Sequence, residues 1–128
     1  MGKSYRDLMA WQRAMDLVEE TYRLTRSFPK EEVYGLTSQL RRAAVSIPSN
    51  IAEGQGRHGA VEFKHFLRLA LGSTMELETQ IMIAHRLRYI EANSASLILR
   101  ETAEVGKMLN GLISHLDDSG NRVLATGY

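Results

Sequence analysis

The residue spacing that comes nearest to catalytic chemistry is a single Glu-x-x-His motif, formed by Glu62 and His65. A di-iron site in a helical bundle needs a second such motif and carboxylates from two further helices, and no other histidine follows a glutamate by three residues. The sequence also lacks a His-Glu-x-x-His motif, a glycine loop followed by Lys and Ser or Thr, and a Gly-x-Ser-x-Gly turn. We therefore predict no catalytic residue, no metal site, no cofactor and no small-molecule substrate.

A stripe of polar residues follows the second predicted helix, where side chains three or four positions apart share a face. Its members are Arg42, Ser46, Asn50, Glu53 and Arg57. Glu53 is placed to accept a hydrogen bond from Arg57, four residues on. Ser46 or Asn50 can donate to backbone groups that Pro48 leaves unpaired. The stripe is either a ligand or nucleic-acid site or, as we favour, a network that fixes a helix kink and an interface between helices or subunits.

Three residues of the third predicted helix belong to the same structural hypothesis. Gly72 lies inside the helix, where glycine costs about 1 kcal/mol relative to alanine, so Gly72 and Ser73 predict close approach by another helix. Glu76, three residues beyond Ser73, either reaches an arginine of the polar stripe or lies on an ordinary solvated face.

Basic side chains gather at the predicted turn between the second and third helices. They are Arg57, His58, Lys64, His65 and Arg68. Such a cluster can bind phosphate groups by charge, and in an oligomer it would repeat and multiply weak contacts. The nearby Glu62 and the net charge of +1 favour the alternative, a solvated charged surface.

The elements that position these residues are four amphipathic helices, predicted over about 5–26, 30–56, 60–88 and 94–117, with a flexible tail over 119–128. Their apolar seams advance by three and four residues: Leu8, Trp11, Met15, Val18 and Tyr22; Leu36, Leu40, Ala43, Ile47, Ile51 and Gly54; Phe63, Leu67, Ala70, Thr74, Leu77, Ile81 and Ala84; and Ile98, Thr102, Val105, Leu109, Leu112 and Leu116.

Ser4 and Asp7 predict a cap for the first helix, and Asn93 or Ser94 for the fourth. Pro48 predicts a kink or brief break near residues 44–47. The fold class is all-α, an antiparallel up-down-up-down four-helix bundle.

Length and composition agree with one small domain. The chain has 128 residues, 44% of them hydrophobic and 24% charged, and no cysteine, which excludes disulfides and thiolate chemistry. No apolar stretch approaches the roughly 18 residues of a membrane span, and the N-terminus does not resemble a signal peptide. We expect a cytoplasmic protein with no membrane partner.

One segment carries a family resemblance, Ser46–Gly54, which reads SIPSNIAEG. Further matching segments are Tyr5–Leu8, Trp11-Gln12, Phe28-Pro29, Tyr34–Leu36, Ser38–Leu40, Glu62-Phe63, Phe66-Leu67, Gly72-Ser73 and Glu76–Glu78. Together they resemble the bacterial proteins encoded within intervening sequences of 23S ribosomal RNA genes, sometimes labelled S23 ribosomal proteins. The resemblance covers about residues 5–90 and implies a four-helix bundle that forms homo-oligomers, pentamers in particular. A more distant resemblance is to the accessory variability determinants of diversity-generating retroelements, which bind a reverse transcriptase and nucleic acid.

The functional expectation is a non-enzymatic, homo-oligomeric binding or scaffold protein that associates with RNA or the ribosome. Two alternatives stay open. One is a retroelement accessory protein, and the other is a purely structural protein-interaction module. The expected partners are further copies of the chain and RNA or a ribonucleoprotein.

Overall fold

The computed structural model describes the backbone of residues 4–127 and the side chains of residues 4–118, and its regular structure there is entirely helical. The four main helices are α1 (Met9–Thr25), α2 (Leu36–Gly56), α3 (Ala60–Arg86) and α4 (Ala92–Gly127). Short 3-10 helices, Tyr5–Asp7 and Lys30–Glu32, precede α1 and α2. The predicted all-α fold with four helices is confirmed.

The helices form a ring in which each contacts two neighbours. α1 contacts α2 and α4, and α3 contacts the same two helices from the other side. Lys64 near the start of α3 bonds Asp117 late in α4. Glu78, further along α3, accepts a hydrogen bond from Thr102, earlier in α4. Residue numbers therefore rise along α3 as they fall along α4.

The first two helices begin later than predicted, because short turns precede them. The capping box exists, with the Ser4 N–H donating to Asp7 Oδ2 at 3.1 Å and the Arg6 N–H donating to Ser4 Oγ at 3.1 Å. It caps the 3-10 helix, because the extended backbone of Leu8 (φ −74°, ψ 125°) separates that turn from α1. The second helix begins at Leu36 instead of residue 30.

The helix ends also differ in detail from the predictions. α3 ends at Arg86, and Arg88 adopts a left-handed conformation with φ 66°. α4 begins at Ala92, so the predicted caps Asn93 and Ser94 lie in its first turn. Its backbone helix extends past the predicted end at 117, but the side chains of 119–128 lie outside the described residues. The flexible tail expected there stays a prediction.

α2 is continuous through Pro48, so the predicted break near residues 44–47 is wrong, and the kink stays a prediction. The helix lies in the densest part of the bundle, where packing of its buried face against α1 and α3 offsets one lost backbone hydrogen bond.

The core confirms the predicted seams of α2 and α3, apart from the half-buried Phe63. In α4 the seam is buried as far as Leu109, after which Ile113 is buried in place of Leu112. The predicted seam of α1 is correct only in part. Leu8, Trp11 and Val18 are half-buried against the core, whereas Met15 and Tyr22 are 41% and 39% exposed.

Smaller residues form the true core face of α1, namely Ala10, Ala14, Leu17, Thr21 and Thr25. The Thr21 and Thr25 hydroxyls donate to the carbonyl oxygens four residues earlier, both at 2.8 Å. Satisfied in this way, a threonine can lie in the core, where its burial would otherwise be costly. Of the larger apolar residues of α1, Tyr22 lies beside Arg41 of α2.

Candidate functional site

The polar stripe of α2 forms hydrogen bonds around Pro48. The Ser46 hydroxyl donates to the carbonyl of Ala43 at 3.0 Å and shares a hydrogen bond with the Ser73 hydroxyl of α3, 2.5 Å away. The Asn50 amide donates to the Ser46 carbonyl at 2.8 Å. The ring of Pro48 frees the carbonyl of residue 44, so these donors serve carbonyls on either side of the freed one. The contact with Ser73 ties the stripe to α3.

Glycine is required at position 54, where α2 packs against two phenylalanines of α3. A Cβ on the buried Gly54 would lie 2.6 Å from Phe66 Cβ and 3.1 Å from Phe63 Cδ1, far inside normal contact distances. The sequence placed Gly54 on the apolar seam without indicating this contact. Gly72 differs, because a Cβ there would meet nothing within 4 Å. The predicted close approach at Gly72 is absent within the protomer, since Gly72 lies on the outer side of α3.

The pairing predicted between Glu53 and Arg57 is present. Arg57 Nη2 donates to Glu53 Oε2 at 2.9 Å, and Arg57 Nη1 lies 3.6 Å from Glu62 Oε2. The guanidinium also lies 5.1 Å from the centre of the Phe66 ring. These side chains are about half exposed, so each ion pair contributes little to stability. They do, however, offset the charge of Arg57.

Lys64 also forms an ion pair within the chain. Its ammonium donates to Asp117 Oδ1 of α4 at 2.7 Å, and the lysine side chain is only 21% exposed. The hydrogen bond from Lys64, with the nearby positive charges of Lys64 and Arg68, holds the pKa of the Asp117 carboxyl below its ordinary value. Of the predicted basic cluster, His58, His65 and Arg68 remain as exposed side chains outside these ion pairs.

The structure places Glu62 beside Arg57 and Glu76 beside Gln80. The described residues contain no group of three or more His, Asp or Glu side chains placed to hold a metal ion. Glu76 accepts a hydrogen bond from the Gln80 amide at 3.3 Å. It lines a cavity of about 330 Å³ together with Arg42 and Ser46, which places Glu76 of α3 near Arg42 of α2.

A contact that the sequence did not indicate joins the end of α3 to the start of α2. The Tyr89 hydroxyl donates to Glu32 Oε2 at 2.9 Å, and the Leu36 N–H donates to Glu32 Oε1 at 3.0 Å. Both hydrogen bonds lower the pKa of the Glu32 carboxyl, and the one from the Leu36 N–H has the larger effect. The left-handed Arg88 ends α3, and the Tyr89 N–H donates back to Ala84 at 2.9 Å. Glu32 thereby caps α2 from outside the helix.

Among the described residues, the α1–α2 groove and the outer side of α3 are two of the surfaces that expose apolar side chains. The α1–α2 groove has a volume of about 580 Å³ and is lined by Tyr22, Val33, Thr37, Ser38, Arg41, Arg42, Val45, Ser46 and Ser49. The α3 outer face comprises the exposed residues between positions 69 and 83, namely Leu69, Gly72, Met75, Glu76, Thr79, Met82 and Ile83. Across the described part of the chain, no helix is both long and apolar enough to cross a membrane.

Comparisons with known proteins agree with the sequence resemblance. The family model described as 23S rRNA-intervening sequence protein matches residues 6–111. The fold is similar to the crystal structure of a protein of unknown function from the S23 ribosomal protein family of Bacteroides thetaiotaomicron, with a TM-score of 0.74 and 20% sequence identity. That alignment covers 82% of this chain and 98% of the other. No curated protein matches the chain. With most of its length matched by the family model, the chain belongs to the 23S rRNA-intervening sequence protein family.

Proposed function

We propose that the chain is a non-enzymatic, cytoplasmic binding protein that works as a homo-oligomer, with the pentamer implied by the family resemblance as the expected form. The observation that carries this proposal is the α3 outer face. Leu69, Met75, Met82 and Ile83 are 44%, 56%, 49% and 42% exposed there. Glu76 is the only ionised side chain among the exposed residues of that face.

A continuous apolar surface of this kind supports association with another protein surface. Single exposed apolar residues are ordinary on a protein, but contiguous ones mark interaction sites. Here they follow one helix face for four turns, from Leu69 to Ile83. Burial of that face against another copy removes apolar area from water, which is the main driving force for protein association.

The test is the mass of the purified chain in solution, measured by sedimentation equilibrium over a wide range of concentrations. We expect a single oligomer, with five times the chain mass for a pentamer. A chain that stays monomeric at the highest concentrations would contradict the proposal. Replacing Met75 and Met82 by Gln should lower the oligomer fraction, while the same change at Leu97, exposed to 56% on α4, serves as the control.

RNA association is the second candidate function, supported by the exposed part of the basic cluster. His58, His65 and Arg68 are exposed at the start of α3 and the turn before it. In an oligomer this surface would repeat, so weak phosphate contacts would add. The ion pairs of Arg57 and Lys64 reduce the free positive charge, which makes the RNA role the weaker of the two.

The RNA role is tested by binding to a structured RNA hairpin at several salt concentrations. We expect Arg68→Glu to weaken binding and to reduce the slope of affinity against salt by about one for the lost phosphate contact. Arg100→Glu, at an exposed position of α4, is the matched control. If both charge reversals lower the affinity for the hairpin equally, or if the chain does not bind the hairpin at low salt, the RNA role is wrong. The protein-interaction module is then the function that remains.

A further inference from the structure

We propose that the interface between copies is formed by the α3 outer face of one copy seated in the α1–α2 groove of the next. This proposal rests on the homo-oligomer proposed above and adds which surfaces meet. The contact is heterologous, with two different surfaces of the same chain, and such a contact forms a ring when its rotation closes after a whole number of copies.

The charges of the two surfaces are complementary. The groove carries Arg41 and Arg42, and none of the residues that line it is acidic. Between positions 69 and 83 the α3 outer face carries Glu76 and no basic side chain, and the exposed Arg68 and Arg86 lie beyond its two ends. Two copies of the α3 outer face would bring glutamates together, and two grooves would bring arginines together. Charge complementarity therefore favours pairing the face with the groove, which also sets the orientation of the contact.

The apolar side chains of the α3 outer face can also pack against those of the groove. The groove exposes Tyr22 and Val45, to 39% and 40%, between its two helices. The Arg41 guanidinium lies 4.5 Å from the centre of the Tyr22 ring, and Arg41 Nε donates to the Thr25 hydroxyl at 2.9 Å, so this side chain is held against α1. The α3 outer face offers unbranched Met75 and Met82, whose flexible side chains adapt to such a surface. Gly72 has no Cβ and allows a close approach.

The positions of these residues along the bundle axis, here called their heights, agree with a ring of copies whose symmetry axis is parallel to the helices. In such a ring, a residue meets residues of the next copy at its own height. Arg42 and Glu76 line one cavity. Arg42 also lines the α1–α2 groove with Val45, one turn further along α2, and Tyr22 lies beside the neighbouring Arg41. Glu76 of one copy then faces Arg42 of the next.

A second pair of residues, Leu87 and Val33, also lies at matching heights. The hydrogen bond from Tyr89 to Glu32 puts the end of α3 beside the segment that precedes α2. Leu87 and Val33, each two residues or fewer from these partners, are both 51% exposed. In the ring, Leu87 of one copy meets Val33 of the next and extends the apolar contact by about three turns beyond Glu76.

The test uses disulfide formation between copies, which is clean because the chain has no cysteine of its own. Val45→Cys and Met75→Cys variants are purified separately, mixed under conditions that exchange subunits, and oxidised. A disulfide requires Cα atoms about 4.4–6.8 Å apart. Because the two cysteines are on different chains, a cross-link cannot form within one copy. Leu97→Cys, as exposed as Met75, replaces Met75→Cys in the control mixture.

We expect a cross-linked dimer in the Val45→Cys and Met75→Cys mixture, and none in either variant alone or in the control. The variant with both cysteines should give a ladder whose last member is the closed ring. Cross-linking of Met75→Cys with itself would overturn the proposal in favour of two α3 faces in contact. An oligomer without the mixed cross-link would overturn the interface and leave the proposed function intact. A monomeric parent chain would overturn both.

Discussion

The two faces of α3 differ in what they pack against, although both are apolar. On the inner face Leu67, Ala70, Leu77 and Ile81 are completely buried against the other helices. On the outer face Leu69, Met75, Met82 and Ile83 are between 42% and 56% exposed. An ordinary surface helix has charged residues on its outer side. The inner face of α3 therefore explains how the chain folds, and the outer face is the surface that the proposed assembly would cover.

The largest expected effect is on the inner face. Leu77→Ala leaves a cavity in a fully buried site, so we expect the free energy of unfolding to fall by about 2–5 kcal/mol. The matched change on the outer face, Met82→Ala, should alter protomer stability by less than about 0.5 kcal/mol but weaken the oligomer. Urea unfolding at several protein concentrations separates the two contributions. Equal effects on both faces would contradict the distinction.

The next effect concerns two glycines in helices. Gly54→Ala forces a Cβ to within 2.6 Å of Phe66 Cβ, and we expect a loss of about 1–3 kcal/mol from overpacking. Gly111→Ala in α4 is the control, because a Cβ there meets nothing within 4 Å. Alanine should raise helix stability at Gly111 by up to about 1 kcal/mol. Melting temperatures that move in the same direction for both variants would be inconsistent with the close α2–α3 contact.

A smaller effect tests the charge of the outer face. Glu76→Arg places a positive charge opposite Arg42 of the neighbouring copy in the proposed ring, so we expect the dissociation constant between copies to rise by about tenfold or more. Adding Arg42→Glu should recover assembly, whereas Glu104→Arg, at an exposed position of α4, should leave it unchanged. The readout is the oligomer fraction from sedimentation velocity, with circular dichroism to check that each protomer is folded.

The smallest effect depends on pH. The hydrogen bonds of Glu32 lower its folded pKa below the ordinary 4.5, so its contribution to stability is present above that value and is lost as pH falls through the folded pKa. We expect Glu32→Gln to lower the urea midpoint at pH 7, and the difference from the parent to shrink below about pH 4.5. Glu31→Gln, at the exposed neighbouring position, is the control. A difference that stays constant with pH would contradict the carboxylate cap.

The sequence predicted the helical content and the cores of α2 and α3 because their large aliphatic residues follow the helical period. It missed the core face of α1 for a specific reason. There alanines and threonines face inward, and Met15 and Tyr22 lie outside. Hydropathy favours the larger side chains, whereas close packing and the backbone hydrogen bond of Thr21 determine which face is buried.

The candidate site was predicted in part. Local spacing was sufficient for the pairing of Glu53 with Arg57, because residues four apart in a helix are neighbours. It was insufficient for Lys64 with Asp117 or Glu32 with Tyr89, which are 53 and 57 residues apart in the chain. Because local spacing does not show the ion pair of Lys64 with Asp117, the sequence overestimates the unpaired positive charge of the basic cluster.

The sequence by itself determined four helices, the buried seams of two of them, and membership of a family through residues such as Ser46–Gly54. Only the tertiary structure decided which of two similar residues has which role. Gly54 lies against Phe66 and Gly72 lies in open space, and Lys64 is ion-paired while Arg68 is exposed. The physical reason is that helical periodicity is a local property of the chain, whereas contact, burial and charge pairing depend on residues that folding brings together from distant positions.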